Sequence, residues 1–497
     1  MAETGLSRRT LLGAGVTAGA GTVLGAGSFG VGPLGAPAAA VAPTAARQAE
    51  VVVVGAGLAG LTTARALVQA GRSVVVLEAR DSVGGRTLNH RLADGRVVEK
   101  GGQFIGPTQD HLARLAREVG VETFSTYVEG ENVYYADGLR RTYTGDLPPD
   151  PLALPDALVS IERVNQMSRE VPVDAPWTAA RADEWDGQTM ESWLRGNNVL
   201  PRTRELVDVL FNSLLGGQSR DTSLLFTLVY VAGFGNEDEP GTLDRGIATK
   251  GGAQEQRFVG GSQLVSQRVT RELDGRVVLN APVRRLTQDA TGVDVVTDNG
   301  TWRAQRVVVT VPPPLAARIS WEPALPAAHD QLLQRLPMGT LMKVEAVYDQ
   351  PFWRPDLTGM SLNLEGPVVT TFDNTPPEGS PGVLMGFVGG RHWRAVAHLP
   401  QAERRRQVLR NFATVVGDRA LQPVDYLEHD WVRDPWSVGG PVAVAGPGTT
   451  VDFGFRIRRP VGRVHWAGTE TSTYWNGYMD GAVRSGERAA TEVVALL

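Results

Sequence analysis

Four consecutive valines, Val51-Val52-Val53-Val54, form an apolar run with no polar alternation, the pattern of a strand buried on both faces. Residues 61–70 have helical spacing and stop at Gly71; residues 73–77 make a second apolar strand. Strand, glycine turn, helix and strand predict one βαβ unit. Residues 127–252 differ, with prolines, tryptophans and helical spacing, clearest over 203–215. Strand runs return at 277–279, 293–297 and 307–311, the last stopped by Pro312-Pro313-Pro314. A further mixed region spans 333–432, with a strand-like run over 341–347. Residues 464–497 read as strand, glycine-rich turn and a final helix beginning near Gly477. The pattern predicts a nucleotide domain in three pieces (48–123, 259–332 and 434–497), with a substrate domain inserted in two (124–258 and 333–433).

The first 42 residues stand outside that scheme. Arg8-Arg9 precede a long Gly/Ala/Val stretch without charge, and Ala38-Ala39-Ala40 and Ala40-Val41-Ala42 are small-residue cleavage candidates. This is the form of an export signal, and the arginine pair points to the twin-arginine route. Gly and Ala insert weakly into a bilayer, so a cleaved signal is favoured over an anchor. No later segment is apolar over the length a membrane span needs.

Composition mainly removes possibilities. The 497 residues hold no cysteine, which excludes disulfides, thiolate metal sites, cysteine nucleophiles and a cysteinyl cofactor link. The seven histidines are scattered, so no metal site is expected. The net charge of −5 is small, and Lys and Arg form no block that would serve nucleic acid.

The chemistry begins with Gly55-x-Gly57-x-x-Gly60, between the valine strand and its helix. Gly55 permits the tight turn, Gly57 lets backbone approach a pyrophosphate, and Gly60 lets helix and strand pack closely. The helix N-terminus offers free N–H groups to phosphate. Glu78 ends the next strand, where a carboxylate takes the hydroxyls of an adenosine ribose. This unit alone does not separate NAD from FAD.

The segments that follow do separate them. Arg80, Gly84-Gly85-Arg86-Thr87, Gly101-Gly102-Gln103-Phe104, Gly251 to Phe258 with Gln254, Ala281-Pro282-Val283, Pro337 to Lys343, Ala467-Gly468-Thr469-Glu470-Thr471 and Gly477-Tyr478-Met479-Asp480-Gly481 occur in one order. Together they resemble the monoamine oxidase-like group of flavin amine oxidases over nearly the whole chain after residue 42. The resemblance implies an α/β fold: a glutathione-reductase-like, Rossmann-type FAD domain with an inserted α+β substrate domain. It implies FAD held by Gly55, Gly57, Gly60, Glu78, Arg80, Gly85, Arg86, Gly101, Gly102, Gln103, Val283, Trp431, Gly468, Glu470 and Met479. Lys343 is placed beside the flavin N5, Tyr478 beside the substrate amine, and Gln254 and Phe104 in the substrate pocket.

The implied reaction oxidises the carbon next to an amine nitrogen, passes two electrons through FAD to O2, and yields an imine and hydrogen peroxide. The partners are a small-molecule amine and O2, with a homodimer allowed. Read without the resemblance, Leu341, Lys343 and Glu345 alternate onto one face, and a solvated Lys343–Glu345 face competes with a flavin role.

The chain departs from the family pattern twice. The flavin-linking cysteine falls on Gly440, so FAD is expected to be non-covalent. The second aromatic of the amine cage falls on Pro441, so the cage is open unless Trp436 or another ring fills it. Trp475 reads equally as a flavin neighbour or as core. Two alternatives remain: an L-amino-acid oxidase, which needs a cation for the carboxylate where this chain has Gln103-Phe104, and a non-catalytic flavin-binding protein.

Overall fold

The structure is a computed structural model, and it describes residues 47–497. The expected export signal, with Arg8 and Arg9, lies outside the described residues. Two large sheets organise the fold. The first has eight strands, in the order Ser320–Glu322, Val283–Gln288, Val293–Thr297, Gly300–Val309, Arg47–Val54, Val74–Leu77 and Val277–Val278, with Val464–Trp466 also paired to Gly300–Val309. The valine run lies near its middle, parallel to Gly300–Val309 and to Val74–Leu77. Val51, Val52 and Val53 are fully buried because apolar clusters cover both faces.

The second sheet has seven strands, in the order Asp425–Asp430, Leu341–Tyr348, Gly382–Gly389, Thr370–Asp373, Leu357–Asn363, Glu131–Ala136 and Leu139–Tyr143. Beside it lies a helical block that includes Leu154–Ser168, Pro201–Leu215 and Leu224–Ala232, around a core of its own. Among the described residues no helix is long and apolar enough to cross a membrane.

Several boundaries move. The first strand starts four residues before the valines, and the strand expected over 307–311 is the end of the ten-residue Gly300–Val309. The last helix is Met479–Val494 rather than one starting at Gly477, because Gly477 adopts φ +84 and forms the turn before it. The solvated face expected as an alternative for Lys343 and Glu345 is absent. All eight residues of Leu341–Tyr348 are buried, since the strand is flanked by two others and covered on both faces.

Candidate active site

Two long helices open onto one cavity. Leu58–Gln69 begins at Gly57 and Met479–Val494 begins at Tyr478, and neither N-terminus receives a side-chain cap. The helices cross closely at Gly486, where a Cβ would press on the Ala59 carbonyl oxygen, and Thr63 Oγ1 donates to the Gly486 carbonyl at 3.1 Å. That crossing aims both sets of free N–H groups at one space, a ready site for anionic groups.

The cavity they share is about 490 Å³. Gly55, at φ +104, turns the chain at its wall. A Cβ on Gly57 would meet only the Gly84 carbonyl, at 4.0 Å, so the backbone there faces open space. Gly84 and Gly85, both with positive φ, form the opposite lip, and Gly57 and Gly84 are joined by an isolated β-bridge. Glu78 is buried on the wall; its carboxylate accepts the Ala56 N–H at 2.6 Å and the Arg80 N–H at 2.9 Å. Burial pushes its pKa up, against those two donors. Each oxygen keeps a lone pair for a ligand hydroxyl.

Two arginines of the wall, Arg80 and Arg86, are clamped. Arg80 donates to Asp434 at 2.6 Å and to Ser437 at 2.8 Å. Burial raises the Asp434 pKa, but hydrogen bonds from His429 and Arg80 outweigh this and hold it well below the usual range. Arg86 donates to both oxygens of Glu470, at 2.5 and 3.0 Å, and to the Pro441 carbonyl at 2.7 Å. Gly101, Gly102, Gln103, Val283, Trp431, Gly468 and Met479 also line the cavity. A long cavity with a backbone cradle, two helix N-termini and a buried carboxylate at one end fits a dinucleotide such as FAD.

Lys343 reaches the cavity from Leu341–Tyr348, the strand next to one edge of the second sheet. It is 3% exposed. Its ammonium donates to the Glu99 carbonyl, to the Gln103 side chain and, at 3.2 Å, to the Gly101 carbonyl, with Glu345 3.5 Å away. Burial pushes the Lys343 pKa down, and the Glu345 and Glu99 charges push it back up.

A second cavity of about 260 Å³ adjoins the first, sharing Gln103, Phe104, Pro441, Tyr478 and Met479 with it. Its wall is apolar and ringed. Phe104 lies 5.5 Å from Phe372, and Phe372 lies 6.3 Å from Phe387. Tyr478 packs against Trp475 at 4.9 Å, Phe234 at 5.8 Å and Tyr230 at 6.3 Å, the last two being wall residues of the same cavity. Burial keeps the Tyr478 hydroxyl pKa far above its usual value. Tyrosines apart, the sole ionisable side chain on this wall among the described residues is Asp146.

Three proposed cofactor or substrate residues stand apart from the first cavity. Gly60 packs against Gly55 and Thr310. Glu470 is the partner of Arg86 and faces away. Gln254 lines only the second cavity, its amide donating to the Gly246 carbonyl at 3.1 Å. Trp475 is fully buried core, with its N–H on the Thr108 carbonyl. Trp436 does not complete the cage: it lines the first cavity only, with Arg284 stacked 5.6 Å from its ring. Sequence reasoning placed Glu345 beside Lys343 only as part of a solvated face, and it missed Asn374 and the Phe372 and Phe387 rings. The Lys343-x-Glu345 spacing was the one available signal for any of them.

These features define a flavin-dependent oxidoreductase whose cofactor cavity opens into an apolar, aromatic substrate chamber. The chain matches the flavin containing amine oxidoreductase family over residues 58–494, and it belongs to that family. It is 43% identical over 453 residues to a Mycobacterium tuberculosis protein carrying the name flavin-containing monoamine oxidase AofH, covering 90% of this chain and 97% of that one. It is 38% identical over 455 residues to amine oxidase [flavin-containing] B of Sus scrofa, covering 90% and 86%. Among solved structures, putrescine oxidase bound to putrescine superposes with a TM-score of 0.86 at 34% identity, covering 90% of this chain and 99% of that one. Cyclohexylamine oxidase from Brevibacterium oxydans gives the same values. The protein is therefore an FAD-dependent amine oxidase.

Proposed function

We propose that this enzyme oxidises amines lacking an α-carboxylate, secondary and bulky amines among them, with non-covalent FAD. The observation that carries this reading is the second cavity, which is apolar, ringed and without a cation. Gly57, Gly84 and Gly85 would take the pyrophosphate, the uncapped helix at Gly57 its charge, and Glu78 the ribose. Arg80 and Arg86, each fixed by a carboxylate, would line the cofactor without competing for its phosphates. When bound, FAD supplies a two-electron acceptor for hydride from the carbon beside the amine nitrogen, and O2 regenerates it with release of hydrogen peroxide. Lys343 holds a proton at the wall of the first cavity, bonded to Gln103, which both cavities share. The face of Tyr478 orients the amine, a contact worth about 0.5–2 kcal/mol for a cation. The surrounding apolar wall favours the neutral amine, whose nitrogen lone pair assists hydride loss.

Where the family carries a second ring, Pro441 leaves room for a second substituent on nitrogen. Peroxide release is therefore expected from both primary and N-alkylated amines. A panel with matched pairs tests this: peroxide from no amine at all would overturn the functional reading, and peroxide from primary amines alone the proposed breadth.

Export by the twin-arginine route is proposed from Arg8-Arg9 and the charge-free stretch behind them. Replacing both arginines (Arg8→Lys with Arg9→Lys) should leave FAD-loaded protein in the cytoplasm. Unchanged secretion of the double variant would overturn the proposal.

A further inference from the structure

Lys343 and Glu345 lie two residues apart on one strand, so their side chains project from the same face. Both are buried, at 3% and 2% exposure. With Gln103 and Asn374 they close a ring of four side chains. Lys343 donates to Gln103, Gln103 donates to Asn374 at 2.7 Å, Asn374 donates to Glu345 at 2.9 Å, and Glu345 returns to Lys343 at 3.5 Å. Gln103 is also a wall residue of both cavities. The ring thus fixes the position of the ammonium relative to the place where cofactor and substrate meet.

The other charges around Lys343 are already committed. Glu99 is paired with Arg257 at 2.7 Å, deep in the same core. His429, the register partner of Lys343 on the neighbouring strand, stands 3.8 Å from Asp434, which also holds Arg80. Glu345 alone lacks a cation of its own, and its second oxygen is buried without a partner. A buried ammonium needs such a counter-charge. Packing alone does not account for the pair, since well-packed apolar residues of similar volume are often as stabilising as a buried ion pair, or more so.

We propose that Glu345 is a positioning residue of the oxidase site, keeping Lys343 charged and fixed at the cofactor cavity through this four-residue ring. The inference rests on the reading that Lys343 acts at the flavin. Removing the Glu345 charge takes away the larger of the two charges, Glu345 and Glu99, that oppose burial, so Lys343 loses its proton at lower pH. Opposite charges at this range shift such a group by about 1–3 pH units.

The test uses FAD-loaded protein and two readouts. One is the pH titration of the flavin absorption spectrum without substrate. The other is the pH profile for recovery of that absorption when amine-reduced enzyme meets oxygen. Glu345→Gln should move both midpoints down by about 1 pH unit or more. Glu345→Asp, which keeps the charge but withdraws it by one methylene, should move them part of the way, and it serves alone should Glu345→Gln fail to load FAD. Unmoved midpoints in both variants, with Lys343→Met still slowing the recovery, would overturn the role of Glu345. A Lys343→Met enzyme that recovers at the wild-type rate would instead overturn the underlying reading of Lys343.

Discussion

Tyramine is expected to exceed tyrosine in kcat/KM by about 100-fold or more. The two share a side chain and differ in the α-carboxylate, so the comparison isolates that charge. The wall of the second cavity offers it no cation: Gln103 and Phe104 stand at the mouth, and the charged wall residue, Asp146, is itself an acid. Asp146 is exposed at the surface, where it draws ammonium groups and repels carboxylates. Arg257 and Arg220, two arginines of the middle region, stay out of the chamber. Arg257 is spent on Glu99 and the Thr375 carbonyl, and Arg220 lies outside near Gln218 and Asp221. Burying an unpaired carboxylate costs several kcal/mol, and about 1.36 kcal/mol on the barrier is tenfold in rate. A penalty near 3 kcal/mol thus gives the expected ratio. Steady-state peroxide assays on such pairs measure it. A preference for the amino acid would favour the L-amino-acid oxidase alternative.

The nucleotide half of this site was legible in the sequence because backbone sets it up. Gly55, Gly84 and Gly85 hold positive-φ turns that other residues rarely make, Gly57 keeps clear the space before the first helix, and such requirements leave a spacing. The carboxylate at the end of the second strand is fixed by the same local geometry. The substrate half was less legible. Phe372 and Phe387 come from neighbouring strands of the second sheet, and the Tyr230 ring from a separate helix. Nothing local marks an aromatic residue as cavity wall rather than core. Lys343 was ambiguous for a related reason. Alternation along 341–347 is compatible with an exposed face, and what covers that face, residues 99–103 and Asn374, is distant in sequence. Glu470 shows the reverse case. It sits in a flavin-side motif, yet its side chain serves Arg86 rather than the cavity.

Alanine at Gly57 and alanine at Gly60 should fail for different reasons. A Cβ on Gly60 would drive into the Gly55 carbonyl oxygen and stand 2.9 Å from Thr310 Oγ1. The first of these is backbone of the turn itself, so no side-chain rotation relieves it. Overpacking of this kind costs about 1–3 kcal/mol, more than the roughly 0.5–1 kcal/mol that alanine gains over glycine in a helix. Gly60→Ala should therefore lower the melting temperature of the apoprotein and lose FAD as a consequence. Gly57 has φ −76, a conformation open to alanine, and the added Cβ points into the cavity with its nearest neighbour 4.0 Å away. Gly57→Ala should leave the apoprotein melting temperature unchanged. The methyl would nevertheless occupy the space in which a pyrophosphate meets the first helix N–H groups, so FAD affinity should fall by about tenfold or more, a loss of roughly 1.4 kcal/mol. Thermal melts of the two apoproteins and fluorescence titration with FAD separate the outcomes. Wild-type FAD affinity in Gly57→Ala would show that this turn does not face the phosphates. An unchanged apoprotein melt in Gly60→Ala would show that the strand and helix can part at Gly55 without cost.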